Sequence, residues 1–64
     1  MLEITITPTA LYFKSLSDEM FLKLKDEFEL EESPRGKGYC IKGKPQELFK
    51  VLLRLAYTYD IELS

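Results

Sequence analysis

The chain opens on a strict alternation of apolar and polar positions. In "LEITIT", Leu2, Ile4 and Ile6 alternate with Glu3, Thr5 and Thr7, a period of two that predicts a strand with one buried face. Pro8 ends it, because proline cannot donate to a ladder, and "ALYFKS" reads as a second strand. Ser17 has the side chain of a helix N-cap, and Asp18 and Glu19 follow in the first turn, where the helix dipole favours acids. Leu16 before the cap and Phe21 after it suit a hydrophobic staple. Met20, Phe21, Leu24 and Phe28 recur on one helical face. "FELEES" returns to alternation, with Phe28 and Leu30 on one side; "SPRGKG" is turn chemistry, and "YCIK" is a short strand. "PQELFKVLLRLAYTY" predicts a strongly apolar helix with proline in its first turn, and "IELS" is long enough for a brief final strand.

The two halves resemble each other. "EITITPTALYFKSLSDEMFLKL" lies over "ELEESPRGKGYCIKGKPQELFKVL" with a short insertion in the second turn. Pro8 meets Pro34; Leu11, Phe13 and Lys14 meet Tyr39, Ile41 and Lys42; Glu19, Met20, Phe21 and Leu24 meet Glu47, Leu48, Phe49 and Leu52. Each half reads strand, proline turn, strand, helix. One such unit cannot bury its own apolar face, whereas two stacked units can. The expected fold is therefore α+β, a ββαββα chain with pseudo-twofold halves. Its sheet is expected to be antiparallel and four-stranded, with both helices on one face. The alternative is the ferredoxin-like order βαββαβ.

Length sharpens this picture. Sixty-four residues make one domain, expected to span residues 1–64, and a chain this short buries only about 60% of its unfolded surface. It needs an efficient core, a staple or a partner. Four Phe and four Tyr fit a folded domain and not a disordered one. A single cysteine excludes an internal disulfide, and with no histidine in the chain a conventional zinc site is not expected either. A free thiol suits a reducing compartment, so the expected location is cytoplasmic. No apolar run approaches membrane-spanning length, and "MLEITITPTA" does not have the layout of a signal peptide.

Charge is unevenly placed around a net value of −2. Seven acids and two lysines lie between Asp18 and Glu32, whereas six bases and one acid lie between Arg35 and Arg54. The simplest account is two solvated surfaces that attract each other in the fold. The functional account is a bipolar surface that steers a partner.

Two stretches invite a motif reading. "GYCIKGKP", Gly38 to Pro45, is one residue short of a phosphate-binding P-loop, but Pro45 stands where the Mg²⁺-binding hydroxyl belongs. Its interior alternates like a strand and matches "LYFK" in the first half, so it reads as a strand running into a helix. "LYFKSL" and "KGYCIKGK", Leu11 to Leu16 and Lys37 to Lys44, are similar to the two signatures of the RNA-recognition motif. That resemblance implies Tyr39 and Ile41 facing RNA and Lys42 facing the core. A buried unpaired lysine costs several kcal/mol, so the opposite assignment is taken, with Tyr39 and Ile41 inside and Cys40 and Lys42 outside. The similarity is set aside on that ground.

The outer sheet face then carries Glu3, Thr5, Thr7, Tyr12, Lys14, Glu29, Glu31, Cys40 and Lys42, a solvated antiparallel face suited to Glu–Lys pairs. Cys40 beside Lys42 is either a somewhat activated thiol or, more simply, a small packing residue. Without histidine, no Ser-His-Asp or Cys-His arrangement can form. No enzyme activity, cofactor or metal is expected. The second helix is apolar over more than half its circumference. Val51, Leu53 and Leu55 stand where the first helix has Lys23, Lys25 and Glu27. Val51 and Leu55, with Leu48 at the border, form the expected protein interface, through which the chain would be a homodimer. The expected function is that of a small non-enzymatic interaction module. Size and composition suit a regulator or inhibitor of a partner protein, of the kind phages and mobile elements encode. The alternative is a nucleic-acid-binding module using Arg35, Lys37, Lys42, Lys44, Lys50 and Arg54.

Overall fold

The computed structural model describes residues 2–33 and 38–63. Its elements run β1 (Leu2–Ile6), β2 (Ala10–Phe13), α1 (Asp18–Glu27), β3 (Glu31–Glu32), β4 (Tyr39–Lys42), α2 (Pro45–Thr58) and β5 (Ile61–Leu63). The fold is α+β, and the strands form one mixed five-stranded sheet in the order β3-β4-β2-β1-β5. The expected four-stranded antiparallel sheet is corrected here. Ile61–Leu63 form a strand, and β5 lies parallel to β1, pairing Leu2 with Ile61 and Ile4 with Leu63. All other pairings are antiparallel. From β1 to α2 the order is ββαββα; with β1 set aside, the elements from β2 to β5 follow βαββαβ. The two expected orders therefore describe overlapping parts of one chain.

Local chemistry accounts for the element ends. The β1–β2 turn closes when Thr7 N–H donates to the Ala10 carbonyl at 2.9 Å and Ala10 N–H donates to Thr7 Oγ1 at 3.0 Å. The threonine hydroxyl thereby stands in for a backbone acceptor, as side chains do in turns. Ser17 caps α1 by accepting from Met20 N–H, with Asp18 and Glu19 in the first turn. Helix α1 ends at Phe28, whose N–H reaches the Leu24 carbonyl at 2.8 Å. This cap takes Phe28 out of the strand expected over "FELEES", and only Glu31–Glu32 remains as β3. Pro45 opens α2, where its missing N–H costs nothing.

The core lies between the sheet and both helices. Leu2, Ile4, Leu11, Phe13 and Ile41 rise from one sheet face to meet Leu24 of α1 and Leu48 and Leu55 of α2. Phe21 of α1 packs against Tyr39 of β4 with ring centroids 4.6 Å apart and the rings tilted by 39°. Arg54 of α2 lies over the ring of Phe28, 5.8 Å from its centroid, and so links the helices. Ile41 is buried and Lys42 exposed, which is the facing that set the RNA-binding resemblance aside.

Candidate functional site

Helix α2 has two apolar faces. The inward one carries Leu48 and Leu55, both buried, flanked by half-buried Val51 and Leu52. Of the residues expected to form an interface, Leu55 and Leu48 are taken up by the core and Val51 is left half-buried. Leu48 and Leu55 are two turns apart and point together into the core, although Leu48 also reaches the wall of the groove at the start of the helix. The outward face carries Phe49, Leu53 and Tyr57, one turn apart and 60%, 54% and 95% exposed. None of these three is in the interface expected from the sequence, where Leu53 enters only as the apolar counterpart of Lys25. The spacing of four between these three was the available signal, because such residues share one helical face.

This outward face runs into a groove of about 390 Å³ lined by Ile6, Pro8, Leu11, Pro45, Phe49 and Leu52, among others. The groove forms because the β1–β2 turn and the start of α2 both end at the same edge of the molecule. Each contributes a proline that offers no N–H. Ile6 at the end of β1, one of the lining residues, stays 44% exposed. The lining is almost wholly apolar, so the groove offers burial and shape but few hydrogen bonds with which to orient a polar ligand.

Among the described residues, the basic ones are not gathered on one surface. Lys42 alternates with buried Ile41 and so lies on the sheet face away from the helices, whereas Lys50 and Arg54 lie on α2. Lys44 precedes α2 as its N-cap residue without a side-chain capping bond. Arg35 and Lys37 lie outside the described residues. The stretch from Gly38 to Pro45 runs through a strand into a helix start. The Gly43 N–H there is taken by the Thr9 carbonyl at 3.1 Å.

Cys40 pairs across β4 with Tyr12 on one side and Glu31 on the other. It lies on the outer sheet face as expected, yet it is fully buried, which the alternation alone did not indicate. Burial pushes the thiol pKa up; Lys42 opposes this and Glu31 adds to it. The thiol is therefore held neutral, the state of a packing residue and not of an activated nucleophile. Among the described residues, no cluster of acids and cysteine is arranged to hold a metal ion. Among the same residues, no helix is long and apolar enough to cross a membrane.

No protein-family model matches the chain, and no curated protein or solved structure matches it either.

Proposed function

We propose that the chain is a small, non-enzymatic protein-interaction module that pairs with a second copy of itself through the outward face of α2. The observation that carries this reading is the row Phe49, Leu53 and Tyr57, more than half exposed on successive turns and continuous with an apolar groove. An exposed apolar patch of this kind marks an interaction site more often than an accident of folding. Burying one such side chain is worth roughly 1.5–3 kcal/mol, a large fraction of the about 5 kcal/mol that holds a small domain together. An isologous contact would set the row against its own copy. The role that fits is regulation or inhibition of a partner protein.

The two ββα halves support a pseudo-two-fold reading as well. Leu11 pairs with Ile41 and Phe13 with Tyr39, around a central Tyr12–Cys40 pair. That is the register a two-fold axis through Tyr12 and Cys40 would impose if Leu11 matches Tyr39 and Phe13 matches Ile41. The nucleic-acid alternative has weaker support, since Lys42 and the α2 cations lie on opposite sides of the sheet.

Sedimentation equilibrium on the wild type and on Leu53→Lys tests the proposal. The wild type should dimerise, and the variant should be monomeric with an unchanged circular dichroism spectrum. A wild-type chain that stays monomeric at high concentration would remove the homodimer and leave the face to a foreign protein.

A further inference from the structure

The second surface that invites a partner is a sheet edge. The two edges of the sheet differ. At one end β3 is two residues long and shows Glu31 and Glu32 to solvent, which is how natural proteins blunt an edge against unwanted pairing. At the other end lies β5, and among the described residues no strand pairs with its outer side. Leu2 N–H donates to the Asp60 carbonyl at 2.8 Å, which fixes the phase of the ladder. Backbone groups alternate in direction along a strand. The N–H and C=O of Glu62 therefore face β1, and those of Ile61 and Leu63 face the open side.

Side chains at this edge alternate in character. Ile61 and Leu63 share the core-facing side with their partners Leu2 and Ile4, and Leu63 remains 50% exposed. On the other side Glu62 stands directly beside Glu3. Like charges in that relation repel, and neither carboxylate has an ion-pair partner among the described residues. Lys14, the cation next along the sheet, follows β2 on the far side of Glu3, where its N–H meets the Glu3 carbonyl. Glu62 therefore faces the open edge with unbalanced negative charge.

We infer that the β5 edge accepts an extended segment of a partner protein in which basic and apolar residues alternate. Such a strand would satisfy the outward backbone groups of Ile61 and Leu63. Its apolar residues would cover Leu63, and its basic residue would sit opposite Glu62 and relieve the Glu3–Glu62 repulsion. This is recognition by strand addition, in which main-chain bonds supply affinity and alternate side chains supply specificity. A second copy of the chain is the wrong occupant. Two β5 strands paired about a two-fold axis would bring Glu62 and Glu3 of each copy onto one face, and β3 is also acidic. The edge thus selects against self-pairing and for a basic strand.

Fluorescence anisotropy with labelled peptides decides the matter. The probes are a peptide of alternating valine and lysine, one of alternating valine and glutamate, a scrambled valine–lysine peptide, and a valine–lysine peptide N-methylated at alternate residues in either phase. The alternating basic peptide should bind at least about tenfold more tightly than the acidic one. Glu62→Lys, a change at an exposed position, should reverse that preference. N-methylation in the pairing phase should abolish binding, and Leu53→Lys should leave it unchanged, which separates this edge from the α2 face. The inference fails if the scrambled peptide binds equally well, if Glu62→Lys does not reverse the preference, or if no peptide binds. In that last case the glutamates serve only to guard the edge.

Discussion

Gly38 lies against the backbone of Phe13 so closely that a Cβ added to it would stand 2.6 Å from the Phe13 carbonyl oxygen. Its φ of +97° lies in the region that side-chain-bearing residues avoid. The two constraints have one origin. The chain must turn into β4 beside the end of β2, and the Gly38 carbonyl must also accept from Ser33 N–H at 3.0 Å. Gly38→Ala is therefore expected to destabilise the fold by about 1–3 kcal/mol. Urea denaturation followed by circular dichroism measures this directly, and an unchanged midpoint would contradict the close approach.

The two faces of α2 should respond to truncation very differently. Leu55 is fully buried among the core residues, so Leu55→Ala should cost about 2–5 kcal/mol, enough to unfold much of a marginal domain. Leu53→Ala, on the outward face, should change monomer stability by no more than about 0.5 kcal/mol. The comparison is made at low protein concentration, where self-association adds nothing. Equal costs at the two positions would mean that α2 is rotated from the orientation described.

How much of this was legible in the sequence depended on how local the cause was. Ser17, Asp18 and Glu19 announced the start of α1, and Pro45 the start of α2, because caps act on neighbouring backbone groups. Strands β1, β2 and β4 followed from alternation and from the proline turn at Pro8. The parallel seat of β5 beside β1 was not legible. Three residues carry little pattern, and their partner lies at the opposite end of the chain. The orientation of α2 was half legible. Apolar residues surround much of the helix, and comparison with α1 marked Val51 and Leu55 as surplus. The seven-residue spacing of Leu48 and Leu55 was the better guide, since it places both on one stripe with Leu52 and Val51. Cys40 was assigned the correct face, and of its two readings its burial fits the small packing residue; alternation gives direction and says nothing about what covers a small side chain between Tyr12 and Glu31.

That covered thiol makes stability depend on pH in a definite direction. Burial raises the Cys40 pKa above its ordinary value of 9.0, with Lys42 lowering it and Glu31 raising it. Below 9.0 the thiol is neutral in both folded and unfolded chains, and its contribution to stability is fully present. Above that value the unfolded chain releases the proton while the folded chain still holds it. The folded state then binds more protons than the unfolded one, and stability falls as pH rises toward the folded-state pKa. Tyrosines and lysines titrate nearby in pH, so the wild type alone does not isolate the effect. Cys40→Ala does, because it removes the thiol and leaves those groups in place. At about pH 7 the variant should be less stable by about 1 kcal/mol for the lost packing, and that gap should narrow as pH approaches about 10. Urea midpoints at both pH values give the comparison. A gap that stays constant would mean that Cys40 ionises as readily in the fold as in the unfolded chain.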